Sequence, residues 1–123
     1  MSQSIKPSLP DPAEPRSFSG SRGIACNLDV FTPAEREQHM AVGRRFKAVI
    51  VSAQELPNGQ RLGIKADPGS LALLAEFVEG ERRCCPFFEF TIRLEPGSAA
   101  LWLDLTGPEG TREFIGEEFK GMR

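Results

Sequence analysis

A chain of 123 residues that is 40% hydrophobic and 26% charged has the size and composition of one ordinary soluble domain. Its net charge of −2 and pI near 5.5 exclude the basic excess of a nucleic-acid binder, and clusters such as Arg44-Arg45-Lys47 read as solvated helix faces. No apolar run reaches bilayer length and the start lacks the charged-then-apolar order of a secretory leader, so the expectation is a cytoplasmic chain with no membrane partner and reduced cysteines.

Residues 1–22 carry Pro7, Pro10, Pro12 and Pro15 among serines, a composition that predicts a disordered tail ahead of a single α+β domain at 23–123. Cys26 and Leu28 fall on a short extended piece. Thr32-Pro33-Ala34-Glu35 then opens a helix: Thr32 caps, Pro33 suits the first helical position and Glu35 completes a capping box. The helix should reach about Phe46 and bury Met40, Gly43, Phe46 and the stem of Arg36, with His39 beside them. Residues 48–53 are β-branched and short, hence a strand. Asn58-Gly59 signals a hairpin turn at positive φ, and residues 61–66 return as a second strand with Leu62, Ile64 and Ala66 on one face.

A central helix follows, capped by Asp67 or Ser70, with Leu71, Leu74, Ala75 and Val78 at helical spacing and Leu73 and Phe77 widening the stripe. It runs into Glu81-Arg82-Arg83-Cys84-Cys85-Pro86-Phe87-Phe88, where Pro86 ends it. Phe88, Phe90, Ile92 and Leu94 alternate with polar residues as a half-buried strand. Glu95-Pro96-Gly97-Ser98 turns, and Leu101, Leu103 and Leu105 face inward on the returning strand. Gly107-Pro108-Glu109 starts a last helix that buries Phe114, Ile115 and Phe119. The order αββαββα predicts a four-stranded, mainly antiparallel sheet of two hairpins with three helices on one face. Trp102 and Phe87 on the opposite face point to a partner surface, with a homodimer as the expected use.

The chemistry concentrates at the cysteine pair. Consecutive Cα atoms lie about 3.8 Å apart, below the roughly 4.4–6.8 Å of a disulfide, which argues against a Cys84–Cys85 bond. Two neighbouring thiolates can instead reach one soft ion, with Cys26 as third sulfur, Glu81 as oxygen ligand or proton acceptor and His39 as a further ligand. Three thiolates without a fourth partner suit Hg(II), Cu(I) or trivalent arsenic better than closed zinc, whose ligands come as spaced pairs. Arg82 and Arg83 are expected to lower a thiol pKa. Two other readings stand beside metal binding. The cysteines can be small core hydrophobes of a non-catalytic interaction module. They can also form a thiol redox protein in which Cys26 resolves a sulfenate on Cys84. No glycine-rich phosphate loop, C-x-x-C or Ser/His/Asp arrangement is present, so nothing points to an enzyme.

Cys26-x-Leu28, Glu81-Arg82-Arg83-Cys84-Cys85-Pro86-Phe87-Phe88-Glu89-Phe90 and Leu103-Asp104-Leu105-Thr106-Gly107-Pro108-Glu109-Gly110 together resemble a family of small, uncharacterised bacterial proteins. The similarity covers about residues 24–119. In that family, Glu-Arg-x-Cys-Cys-Pro-Phe segments occur near or fused to regulators of heavy-metal response. The resemblance implies a link to metal handling and no established activity. The adjacent cysteines are also similar to the metal-passing tail of mercuric reductase, on a different scaffold.

Overall fold

A computed structural model describes residues 26–97 and 100–119. The expected tail at 1–22, the domain start near Ile24 and Ser98 of the second hairpin turn lie outside these residues. A 3-10 turn (Leu28–Val30) leads into α1 (Pro33–Lys47), β1 (Ile50–Leu56), β2 (Gly59–Ile64), α2 (Ser70–Cys84), β3 (Glu89–Leu94), β4 (Leu101–Thr106) and α3 (Thr111–Glu118). The sheet is antiparallel in the order β1-β2-β4-β3, so the two hairpins join through β2 and β4 at its centre. The expected α+β architecture is the one observed.

The inner strands carry the core. Leu62 and Ile64 of β2 and Leu101, Leu103 and Leu105 of β4 pack with Val42, Phe46, Leu74, Phe77 and Ile115 from the three helices. Leu62 stands opposite Leu103 and Ile64 opposite Leu101, which puts these pairs on one face. β3 behaves differently from its alternation. Ile92 and Leu94 oppose Leu103 and Leu101, yet they are 39% and 59% exposed. β3 is an edge strand, and only its start, at Phe88 and Phe90, packs against the core.

Thr32 and Glu35 form the expected capping box, with Glu35 N–H donating to Thr32 Oγ1 at 3.1 Å and Thr32 N–H to Glu35 Oε1 at 2.9 Å. The buried stripe of α1, however, is His39, Val42 and Phe46, while Met40 is 47% exposed. The face is chosen by where α2 lies, and His39 sits between the rings of Phe31 and Phe77 at centroid distances of 5.2 and 6.1 Å. On α2 the buried residues are Ser70, Leu74, Phe77 and Cys84, and Leu71 and Ala75 face outward. Neither Asp67 nor Ser70 caps this helix. Gly69 occupies the cap position at φ 89°, and the Ser70 hydroxyl donates instead to the Lys65 carbonyl at 2.6 Å.

The first hairpin turns on Pro57 and Asn58, and Gly59 is already the first residue of β2. Among the described residues only Gly69, Gly97 and Gly110 have positive φ. Glycine is needed at 59 for proximity, because a Cβ there would run into the Leu105 carbonyl on β4. On the outer sheet face Arg61 donates to both carboxylate oxygens of Asp104, at 2.8 and 3.0 Å, beside Trp102. Phe87 is not on that face. It is buried with the cysteines, so one of the two residues that pointed to a homodimer surface serves the interior.

Candidate metal centre

The residues of α2 at positions 70, 74, 77, 81 and 84 follow one another at steps of three and four, so Glu81 is carried in the same stripe as Phe77 and Cys84. Its carboxylate is turned toward α1, with only 13% of the side chain exposed. Cys84 is the last residue of the helix. Pro86 disfavours helical backbone at Cys85, which takes φ −126° and ψ 72° as the C-cap while its N–H still donates to the Glu81 carbonyl at 2.7 Å. The two cysteines therefore belong to different conformations. Their sulfurs remain 3.7 Å apart, unbonded, as the short Cα separation requires.

The segment before α1 crosses this helix end as a strap. Asn27 N–H donates to the Cys84 carbonyl at 2.7 Å, Arg83 Nη2 donates to the Val30 carbonyl at 2.9 Å, and the Arg83 guanidinium lies 4.7 Å from the centre of the Phe31 ring. Under the strap, Cys26 and Cys85 form a disulfide, S–S 2.01 Å, closing 59 residues of chain. The expectation of three reduced thiols is corrected here. An odd cysteine count leaves one over, and that one is Cys84. Phe31 and Phe87 close over both members of the pair, which are buried at 1% and 0% exposure.

His39 reaches the same point from α1. Its Nε2–H donates to Glu81 Oε2 at 2.9 Å, and Cys84 Sγ is 4.0 Å from both atoms. The imidazole rests directly against Gly80, where any Cβ would overlap the ring. Gly80 is not among the residues that the sequence pattern singles out, although its place between Phe77 and Cys84 on a helix otherwise free of breakers until Pro86 is the signal for a close helix–helix approach.

One ligand atom each from Cys26, Glu81, Cys84 and Cys85 lies within 4.8 Å of all the others. Four of the five expected metal residues thus converge. The fifth, His39, stands behind Glu81 as its hydrogen-bond donor, the position of an outer partner that aims a ligating carboxylate. No protein-family model matches this chain. Nor does any curated protein or solved structure. The assignment of this centre therefore rests on its own chemistry.

Of the two arginines expected to lower a thiol pKa, Arg83 does so at Cys84 and is outweighed. Arg82 faces Glu79 on the exposed side of α2, and Arg83 is taken up by the strap and by Glu35. Burial, then the Glu81 charge, push the Cys84 thiol from its ordinary 9.0 up to about 12. Glu118 adds to this, and a backbone hydrogen bond and Arg83 only partly oppose it. The Glu118 carboxyl is itself held above the ordinary carboxylate range, first by desolvation and then by Glu81. The Glu81 carboxylate and the Cys84 thiol thus share a poorly solvated space, with exposed Glu118 adding negative charge from outside it, an environment that a cation relieves.

A pH dependence follows. The unfolded thiol ionises from about pH 9, whereas the folded one keeps its proton to about 12, so in between the unfolded state binds fewer protons. The contribution is complete below pH 9 and is lost as pH rises, at up to about 1.4 kcal/mol per unit. Urea unfolding at about pH 8 and about pH 10 should show this loss in the native chain and not in Cys84→Ala; equal slopes in the two proteins would remove the assignment.

Proposed function

We propose that the reduced protein binds a thiophilic metal ion through Cys26, Cys84 and Cys85, with Glu81 as the oxygen donor. The observation that carries this reading is the convergence of the four ligand atoms within 4.8 Å, at a helix end where a carboxylate lies in an otherwise apolar stripe. Simple packing accounts for one buried cysteine; it does not account for Glu81 and His39 placed against it. The resemblance of the Glu-Arg-Arg-Cys-Cys-Pro-Phe segment to proteins near heavy-metal regulators agrees with the reading. The reading requires a reducing compartment, where a dithiol reductant would supply two electrons and two protons to the Cys26–Cys85 bond and leave as its own disulfide. Among the described residues no helix is long and apolar enough to cross a membrane.

The Cys26–Cys85 bond favours a second reading, a thiol redox protein. Against it stands the remaining thiol. Attack on a disulfide needs thiolate, and a Cys84 held to about 12 supplies almost none near neutral pH. Metal binding is different, since the ion displaces the proton itself.

Titration of the phosphine-reduced chain with Cd(II) should develop a sulfur-to-metal absorption band that saturates at one ion per chain, with native mass spectrometry showing the same 1:1 adduct. The oxidised chain should give neither. A reduced chain that binds no more Cd(II) than a Cys26→Ser/Cys84→Ser/Cys85→Ser variant would overturn the proposal.

A further inference from the structure

We infer that the ion this site selects is a four-coordinate divalent cation of the zinc and cadmium class, held by three sulfurs and one oxygen, in place of the two-coordinate soft ions that three cysteines alone suggest. The inference rests on the thiolate-metal reading above and specifies its ligand.

The first ground is the spacing of the sulfurs. A tetrahedral ion with bonds of about 2.3 Å places its sulfurs about 3.8 Å apart, whereas a linear ion with bonds of that length needs about 4.6 Å. Cys84 Sγ and Cys85 Sγ lie 3.7 Å apart. This pair already spans the edge of a tetrahedron and would have to separate to hold a linear ion, while Cys26 Sγ, bonded to Cys85 Sγ at 2.01 Å, takes its corner once that bond is reduced.

The second ground is the oxygen. Glu81 Oε2 is 4.0 Å from Cys84 Sγ, and a Glu81 carboxylate oxygen lies within 4.8 Å of the sulfurs of Cys26 and Cys85, so a fourth donor is present. It is also aimed. His39 donates to it at 2.9 Å, and His39 is in turn fixed by Gly80 and by the rings of Phe31 and Phe77. A zinc ligand with its outer partner already in place is the arrangement that holds borderline ions in a defined geometry.

Charge disfavours a monovalent ion. Three thiolates and one carboxylate carry four negative charges, of which a divalent ion cancels two and Cu(I) only one. The Glu118 carboxyl adds further negative potential nearby.

The test uses the reduced full chain with Co(II) as a spectroscopic probe for zinc. The expected spectrum has intense tetrahedral d–d bands in the visible together with a sulfur-to-cobalt charge-transfer band, both abolished by adding Zn(II). His39→Ala should keep this spectrum with an affinity about 10–100-fold lower, since it removes an outer partner and no ligand. Glu81→Gln, which replaces an anionic oxygen by a neutral one, should shift the tetrahedral bands and weaken binding. Zinc-edge X-ray absorption of the loaded wild-type chain, which depends on no variant folding, should show three sulfurs at about 2.3 Å and one lighter neighbour. Weak octahedral cobalt bands, an unaltered Glu81→Gln spectrum, or a zinc shell without that composition would overturn the inference. If Hg(II) and Cd(II) still gave sulfur charge-transfer bands, thiolate binding would stand; if no ion gave one, the underlying reading would fall with it.

Discussion

Reduction of the Cys26–Cys85 disulfide is expected to lower the stability of the metal-free protein by about 4 kcal/mol. The bond closes a loop across 59 residues of sequence, and chain entropy for a loop of that length gives a value of this size. What then holds the strap is modest by comparison: one backbone hydrogen bond from Asn27 to Cys84, one from Arg83 to Val30, and the guanidinium against Phe31. Urea unfolding with and without a phosphine reductant, repeated on Cys26→Ser, measures the effect. A difference under about 1 kcal/mol would mean that the unfolded chain stays just as compact without its covalent link.

Phe77→Ala is expected to cost about 3–5 kcal/mol, a large part of the roughly 5–15 kcal/mol that holds a domain together. Phe77 is 3% exposed, belongs to the core and also backs the imidazole beside the cysteine cluster. Its ring stacks on Phe46 at 4.2 Å and 15°, meets Phe119 edge-on at 6.4 Å, and backs His39 at 6.1 Å. Truncation opens a cavity between α1 and α2 and withdraws the surface on which the imidazole leans. Met40→Ala, on the same α1–α2 pair but on the exposed side, should change stability by no more than about 0.5 kcal/mol. Comparable midpoints for the two variants in denaturant would show that the ring stack is not the seam of the helical layer.

Features set by neighbouring residues are legible in the amino-acid sequence alone. Thr32-Pro33-Ala34-Glu35 gives a capping box because the partners are three residues apart. Leu101, Leu103 and Leu105 are buried because an inner strand has both neighbours and a covered face. Cys84-Cys85-Pro86 ends α2 as expected, since the proline acts on the residue just before it. Features set by distant partners are not legible in this way. Met40 is more apolar than His39, but α2 lies against His39. Ile92 and Leu94 alternate like core residues, but they fall where no helix covers the sheet. The pairing of Cys26 with Cys85 needs the strap to cross a helix end, and adjacency alone can only exclude Cys84 with Cys85. The five candidate ligands are recognisable by type; that four form one shell with His39 behind Glu81 depends on how closely α1 approaches α2, which Gly80 permits.

The split of the two adjacent cysteines between helix and coil also bears on biosynthesis. At roughly 5–20 residues per second, Cys26 leaves the ribosome about 3–12 s before Cys85, 59 residues downstream, and its neighbour Cys84. When they emerge they come together, one peptide apart and chemically alike. Only the winding of α2 distinguishes them, turning one toward the imidazole and presenting the other to the waiting partner. Winding of α2 is thus what makes Cys85, and not its neighbour, the sulfur that meets Cys26 whenever the chain is oxidised.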